Sequence, residues 1–457
     1  MIEVILVLLV LGIVGYFIIK GYNPALILIT GAIVLLMSAV LLGKSLYPDG
    51  EGTGLALFDV FSLLRDTIVS QVGGAGLIIM ILFGYSGYMN LIGANQKAVN
   101  ILVAPMTKIK TKALFIPAVF LIGNLMSLVV PSASALAIIL MAILYPLLKG
   151  VGVSSMAAAG VIAMTATIMP TPLGADNVIA AQTLDYNLLT YVSYHARVSI
   201  PTLLVLAVVH YFWQAYCDKK EGASAFVEVK EEELQAVEES QVPKYYAFLP
   251  MLPLVLILIV GIIGMFRDNI RMDIFVLTMI SFFVALIIEA LRKKSFKTAQ
   301  ESAEEMFKGM GVGFSQVVLL VVGGSLFTTA IQNLGVIDAL MTAVENSHSV
   351  GVVTTLIFSG ATAVFGILSG GGLAMFYAVV ELIPDIAARA NIDGILIALP
   401  MQMIANLGRT ISPVAAVVMI VSSSVGVSPI RLLKRTAVPT IIGIIMVVVL
   451  SLILLPH

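Results

Sequence analysis

The sequence of 457 residues has little charge and almost no cysteine. Charged residues make up 11% of the chain and hydrophobic residues 60%, whereas a soluble domain usually carries about 25% charged residues. Because a soluble fold needs polar cover for its surface, this composition excludes one of this length. A net charge of −1 gives no electrostatic reason to expect nucleic-acid binding. The single cysteine, Cys217, excludes an intramolecular disulfide and a cysteine-cluster metal site.

The sequence also lacks the short motifs of common membrane enzymes and pumps. HExxH, Walker-type GxxxxGK[ST], GxSxG and GxGxxG are all missing. The four histidines lie far apart in sequence, and we interpret each as a packed or interfacial residue. We therefore expect neither an enzyme nor an ATP-driven pump, and no cofactor.

Long apolar runs are what the chain has instead. The runs 2–19, 25–43 and 436–455 each reach the ~20 residues that a helix needs to cross a bilayer. The first run has no basic segment before it and no clear small-residue cleavage site, so we interpret it as a span rather than a signal peptide. The sequence predicts an all-α polytopic membrane protein embedded in the lipid bilayer.

Two hydrophobic halves share one order of features. Each half has an amphipathic stretch that leads into an apolar span, then a serine- and glycine-bearing apolar unit, an interrupted span, and a helix entered through a proline. These lie at 58–92, 122–146, 164–182 and 199–204 in one half, and at 296–335, 366–384, 403–423 and 437–442 in the other. Repeated halves with interrupted helices are typical of secondary transporters. We predict a first repeat at 1–217, a charged cytoplasmic linker at 218–244 and a second repeat at 245–457.

The distribution of lysine and arginine predicts the topology. Most of these residues fall on the cytoplasmic side if the N-terminus is outside and each serine/glycine unit is a re-entrant hairpin. Each half then has about five crossings, an odd number, so the second repeat is inverted relative to the first. The hairpin units, 111–148 and 349–386, are also long enough to cross twice, and the charge distribution does not separate the two topologies. The amphipathic stretches 58–71 and 296–310 are expected along the membrane surfaces.

The interruptions at 169–177 and 406–413 are the expected location of the chemistry. Backbone groups inside a membrane need partners, so a helix can break there only beside protein or water. A half-helix N-terminus offers free N–H groups and a positive dipole end to a carboxylate, while exposed carbonyls suit Na⁺ or a proton-carrying group. The candidate substrate-binding residues are Thr171, Asp176 and Asn177 in the first break and Asn406, Gly408, Arg409 and Thr410 in the second.

Arg409 is the most informative single residue. A guanidinium inside a membrane is costly and usually marks function, and arginine can hold a carboxylate through two parallel hydrogen bonds. Arg409 could instead pair with Asp176 and hold the core together, and both roles could apply in different states. Asp176 could relay a proton, bind Na⁺, pair with Arg409 or lie solvated at the end of its half-helix.

The hairpin tips supply further candidates. Small residues allow close backbone approach and hydroxyls give neutral donors and acceptors, although such residues also pack ordinary membrane helices. The tip candidates for substrate binding are Ser132 and Ser134 in the first hairpin and Ser369, Gly370 and Gly371 in the second. A Na⁺ ion could bind near Asn124, Ser127 and Asn406.

Seven motifs run through the chain in the order of a known family. They are IIKGY (18–22), YMNLIGAN (88–95), LMSLVVPSAS (125–134), HYFWQAYCDKKE (210–221), FYAVVELIP (376–384), NLGRTISPVAAVV (406–418) and LKRTAVP (433–439). On these motifs the sequence resembles the DcuC family of anaerobic four-carbon dicarboxylate carriers over essentially its whole length.

The resemblance implies transport of succinate, fumarate, malate or aspartate-like substrates across the bacterial cytoplasmic membrane. It implies efflux, exchange, or uptake coupled to H⁺ or Na⁺, and a homodimer in which a transport unit (about 111–185 and 349–424) moves against a scaffold. The tips read PSAS and SGGG rather than the Ser-Asn-Thr triplets of better-known relatives, so their Na⁺ coordination does not carry over. A carrier for amino acids or another organic anion on the same scaffold is the alternative.

Overall fold

The structure, a computed structural model, is helical throughout the part of the chain that it describes. The described residues are 2–47, 52–108, 112–128, 130, 132–226, 242–264, 273–335 and 350–456. Within them, eleven helical stretches are long and apolar enough to cross a membrane. Large apolar side chains such as Phe212, Phe283 and Ile453 are more than half exposed on these helices. The prediction of an all-α polytopic membrane protein is confirmed.

The first half contains ten helices. Helix α2 begins at Pro24, and the side chain of Asn23 accepts a hydrogen bond from the Leu26 amide at 3.1 Å, which caps its first turn. The helices are α1 (Ile2–Ile19), α2 (Pro24–Leu41), α3 (Ala56–Gln71), α4 (Leu77–Leu91), α5 (Ala94–Val103), α6 (Lys112–Leu125), α7 (Ala133–Gly150), α8 (Ser155–Ala163), α9 (Ala175–Thr183) and α10 (Leu188–Glu221).

In the second half, the described helices follow a similar order. A 3₁₀ segment at Lys244–Met251 leads into the first of them. They are α11 (Leu252–Gly264), α12 (Ile274–Lys293), α13 (Phe296–Gly313), α14 (Leu319–Asn333), α15 (Val350–Ser369), α16 (Gly372–Val379), α17 (Ile383–Ala390), α18 (Ile395–Gly408), α19 (Ala416–Ser424) and α20 (Pro429–Leu454).

The amphipathic stretches are the leading parts of two long, kinked helices. Helix α3 continues through a π-helical segment at Val72–Gly76 into α4, and α13 continues through Phe314–Val318 into α14. Helix α13 packs along α4, where a Cβ built on Gly84 would lie 2.5 Å from the Met306 carbonyl oxygen. Glycine permits this close crossing. The location of the stretches at the membrane surface stays a prediction.

The two helix breaks lie close to the predicted interruptions. The first break, 164–174, separates α8 from α9, and the second, 409–415, separates α18 from α19, so the last residues of 169–177 and the first of 406–413 belong to helices. In the predicted hairpin units, α6 with 14 residues and α16 with 8 are short of the ~30 Å hydrocarbon core, whereas α7 with 18 and α15 with 20 are long enough to cross. The re-entrant assignment and the inverted relation of the two halves stay predictions.

The boundary of the predicted linker differs from the structure. Helix α10 runs through Glu221, so the first charges assigned to the linker belong to its last turn. There Arg435 of α20, fully buried, reaches Asp218 Oδ1 at 2.6 Å through Nη1 and Glu221 Oε2 at 3.0 Å through Nη2. These acids therefore fasten α10 to α20. Residues 227–241 of the linker lie outside the described residues.

Candidate functional site

The two broken helices meet through Arg409. Its guanidinium Nη2 donates a hydrogen bond to the carbonyl oxygen of Ala166 in the first break. Ala166 has a φ of 55°, a left-handed conformation that is uncommon for a residue with a Cβ. The backbone of the first break is therefore turned toward the arginine of the second.

A chain of buried side chains ties α9, α10 and α18 together beside this contact. The Tyr191 hydroxyl donates to Gln402 Oε1 at 2.5 Å, and Gln402 Nε2 donates to Asn177 Oδ1 at 2.7 Å. Asn177 Nδ2 in turn donates to the Thr171 carbonyl oxygen at 2.8 Å. Buried polar groups need such partners. The chain fixes the first turn of α9 against the last two turns of α18.

Asp176 binds an asparagine rather than the arginine. Its Oδ2 accepts from Asn406 Nδ2 at 2.8 Å, and its Oδ1 accepts from the Asn177 amide at 3.1 Å. No nitrogen of Arg409 lies within 4.0 Å of its carboxylate, so these two described residues form no ion pair in this state. Tyr377 of α16 lies close enough to both for their charges to act on its phenol.

Two polar atoms of the second break are buried and have no hydrogen-bond partner among the described residues. They are Nε of Arg409 and Oγ of Ser412. An unmade hydrogen bond on a buried donor costs about 1–3 kcal/mol, and more on a charged group. The two atoms belong to residues three positions apart in the sequence.

The half-helices that follow the breaks begin without side-chain caps. Gly174 precedes α9 and Ala415 precedes α19, and neither supplies a capping hydrogen bond. By contrast, the hydroxyls of Ser132 and Ser154 cap α7 and α8. In α9 the first-turn amide of Asn177 is already taken by Asp176 Oδ1, whereas uncapped first-turn N–H groups, as in α19, are a typical binding place for a carboxylate.

The two hairpin tips differ in their relation to the breaks. Gly370, with a φ of 71°, packs so tightly that a Cβ would lie 2.9 Å from the Ala415 amide nitrogen, while Ser369 Oγ accepts from the Gly371 amide at 3.2 Å. The second tip therefore lies on the start of α19. In the first tip Ser132 is exposed, and its hydroxyl accepts a hydrogen bond from the Ala135 amide at 3.3 Å, which caps α7. Ser134 is partly buried at the start of α7.

The remaining candidates are engaged elsewhere. Thr410 Oγ1 lies 2.6 Å from Thr440 Oγ1 of α20 and donates to the Leu407 carbonyl oxygen. Gly408 packs against Gly366 of α15. Asn124 Oδ1 accepts from both the amide and the hydroxyl of Thr167 at 3.0 Å.

The three residues named for Na⁺ are divided between two elements. Ser127 Oγ donates to the Asn124 carbonyl oxygen at 2.6 Å within the first hairpin. Asn406, on α18, is engaged by Asp176. Sodium binding at these residues stays a prediction.

Comparison with known proteins gives the family. The model of the DcuC family, described as the C4-dicarboxylate anaerobic carrier, matches residues 2–456. The chain belongs to the DcuC family. An "Anaerobic C4-dicarboxylate transporter DcuC" of Escherichia coli K12 is 32% identical, with 98% of this chain and 96% of that protein covered. A "Probable anaerobic C4-dicarboxylate transporter DcuC" of Vibrio cholerae is 36% identical, with 100% and 98% covered.

Solved structures give the same fold at low identity. MtrF of Neisseria gonorrhoeae, described within a class of antimetabolite efflux pumps, aligns with a TM-score of 0.59 at 13% identity, covering 94% of this chain and 95% of that one. The YdaH transporter of Alcanivorax borkumensis aligns with a TM-score of 0.61 at 13% identity, covering 94% and 98%. Together with its eleven candidate spans, DcuC family membership makes the chain a multi-pass protein of the bacterial inner membrane.

Several residues around the two breaks, Ser412 among them, are absent from the candidates that the sequence predicts. Gln402 and Tyr191 form the buried polar chain, and Tyr377 lies near both charges. One signal was present: Gln402 and Asn406 are four residues apart and therefore share a helix face. No comparable signal links Tyr191 or Tyr377 to them, because their partners lie far away in sequence.

Proposed function

We propose that this chain is a secondary carrier of C4-dicarboxylates such as succinate, fumarate and malate, and that it binds them where its two broken helices meet. One observation supports the binding place most strongly: Arg409 lies half-buried between the breaks, and its buried Nε has no hydrogen-bond partner among the described residues. Family membership supports the substrate class.

Arg409 is suited to hold one carboxylate. Its Nη2 donates to Ala166, and Nε, on the same edge of the guanidinium, has no partner among the described residues, so we assign one carboxylate oxygen to Nε. Ser412 Oγ, also buried and unpartnered, lies on the same break. A hydrogen bond to a charged group contributes about 1.5–3 kcal/mol, or roughly a 10- to 150-fold change in affinity.

The second carboxylate is assigned to the first turn of α19. That turn begins without a side-chain cap from Ala415. The dipole of the half-helix adds a further attraction for an anion. The side-chain oxygens of Asp176 accept hydrogen bonds from Asn406 and from the α9 backbone. We therefore assign Asp176 the role of positioning α9 against α18.

Alternating access is proposed to move the hairpins and broken helices together. Helix α7 packs on α8 and α19, and α15 packs on α18, so these elements form one body. Helix α14, which lies outside this proposed moving unit, crosses α16 so closely that a Cβ on Gly324 would lie 2.2 Å from the Tyr377 carbonyl oxygen. We propose an elevator-type homodimer with the transport unit at 111–185 and 349–424, coupled to H⁺ or Na⁺.

Counterflow in proteoliposomes tests the function. Vesicles containing the protein and loaded with unlabelled succinate should transiently accumulate labelled succinate, and unlabelled fumarate and malate should compete. Protein-free vesicles give the background. Competition by amino acids but not by fumarate or malate would assign the other substrate class, and leakage without saturation would contradict a carrier.

A further inference from the structure

A half-buried carboxyl group lies outside the site described above. Glu381 occupies the 3₁₀ turn Val380–Leu382 between α16 and α17. Its Oε1 accepts from Gln71 Nε2 at 3.4 Å and from Thr183 Oγ1 at 3.5 Å, and Gln71 Nε2 also reaches Ser325 Oγ at 3.2 Å. These hydrogen bonds join Glu381 to α3 and α9 directly, and to α14 through Gln71.

No cation pairs with Glu381 among the described residues. The turn is packed against α9, α14, α16 and α17. The titratable residues on these helices are Asp176, Tyr377, Asp385 and Arg389, and on α3 they are Asp59, Arg65 and Asp66. The described ion pairs do not include Glu381, and Asp385 accepts from Gln332 Nε2 at 2.6 Å. Burial among neutral partners stabilises a protonated carboxyl relative to a carboxylate.

Water can reach this cluster, because Glu381, Gln71 and Thr183 are each only half-buried. A cavity of about 380 Å³ is lined by residues next to two of them in sequence, Gly73 and Gly74 of the α3–α4 kink and Gln182 of α9.

We propose that Glu381 is the proton-binding carboxyl of this carrier, a role that rests on the proposed dicarboxylate transport. In the arrangement described, a carboxyl oxygen takes a proton from water. Movement of α9 and the α16–α17 turn relative to α3 and α14 separates Glu381 from Gln71 and Ser325. The carboxyl group of Glu381 then releases its proton to water on the other side of the membrane. One proton thus crosses with the substrate. Gln71 presents Nε2 rather than an oxygen, which suits a carboxyl group and not a Na⁺ ion.

The variant Glu381→Gln separates this role from substrate binding. Glutamine resembles the protonated carboxyl but never releases a proton. In proteoliposomes, counterflow of labelled succinate at equal pH should continue, because both exchange steps use the protonated form. Accumulation of succinate driven by a pH gradient, and the proton movement that accompanies it, should be lost. Asp385→Asn, the same change one turn away, should leave both activities intact.

Several results would overturn the inference. The first is accumulation of succinate by Glu381→Gln that a pH gradient drives as strongly as in wild type. The second is accumulation by wild type that a Na⁺ gradient drives and that does not respond to a pH gradient. In both cases normal counterflow of succinate would still support the proposed transport function. Wild type without succinate counterflow would overturn both. If Glu381→Gln does not fold, Glu381→Asp should shift the pH of half-maximal gradient-driven transport, and an unchanged pH profile would contradict the role.

Discussion

Removing Arg435 should destabilise the protein markedly. Its side chain is fully buried and reaches two carboxylates, Asp218 and Glu221, at 2.6 and 3.0 Å. Breaking a buried ion pair by deleting one partner costs about 3–5 kcal/mol. The two acids are 29% and 21% exposed, so water can partly solvate them after the arginine is lost. We therefore expect Arg435→Met to lower the free energy of unfolding by about 3 kcal/mol, the low end of that range.

The chain carries its own probe for this experiment. Trp213 is the single tryptophan, and its Nε1 donates to the Lys434 carbonyl oxygen at 3.1 Å, directly beside the ion pair. Denaturant unfolding in micelles, followed by tryptophan fluorescence, reports on this region. Lys434→Met removes an exposed charge next door and should change the free energy of unfolding by no more than about 0.5 kcal/mol. An equal effect of the two variants would refute the reasoning.

Three further predictions concern the site and its surroundings. Gln402→Leu leaves the Tyr191 hydroxyl and Asn177 Oδ1 without their partner and should cost about 1–3 kcal/mol in denaturant unfolding; an unchanged midpoint would mean that these groups find other partners. Gly324→Ala places a Cβ 2.2 Å from the Tyr377 carbonyl oxygen and should abolish succinate counterflow. The control Gly12→Ala, with no atom within 4 Å of its Cβ, should transport normally. Equal counterflow rates of the two variants would argue against a tight α14–α16 crossing. Thr410→Val removes the hydroxyl that bonds Thr440 and the Leu407 carbonyl oxygen, so it should lower stability without changing succinate affinity. Weaker succinate binding by a stable Thr410→Val protein would indicate that Thr410 contacts the substrate.

The interruptions of the helices could be predicted because proline and glycine stand inside apolar runs. The π-helical kinks could not. Val72–Gly76 reads VGGAG and Phe314–Val318 reads FSQVV, so no common sequence pattern marks them. What they share is their position between an amphipathic helix and the apolar helix that continues it.

Polar side chains that interrupt an apolar segment, such as Arg409, Asp176 and Asn177, could be singled out from the sequence, and the structure places them at or beside the two breaks. Their partners were not predictable from spacing. Asp176 could have paired with Arg409, but Asn406, one turn before that arginine, reaches it. Likewise, Asp218 and Glu221 resemble linker charges because Arg435, which holds them to α20, lies more than 200 residues later.

Succinate affinity of Arg409 variants tests the proposed binding place most directly. Equilibrium binding of labelled succinate to purified protein should weaken about 10- to 150-fold in Arg409→Lys, because lysine keeps the charge but loses the Nε–Nη fork. Arg197→Lys changes an exposed arginine that stacks on Tyr194, with its guanidinium carbon 4.8 Å from the ring centroid, and should bind as wild type does. Wild-type affinity in Arg409→Lys would contradict a carboxylate anchor between the two broken helices.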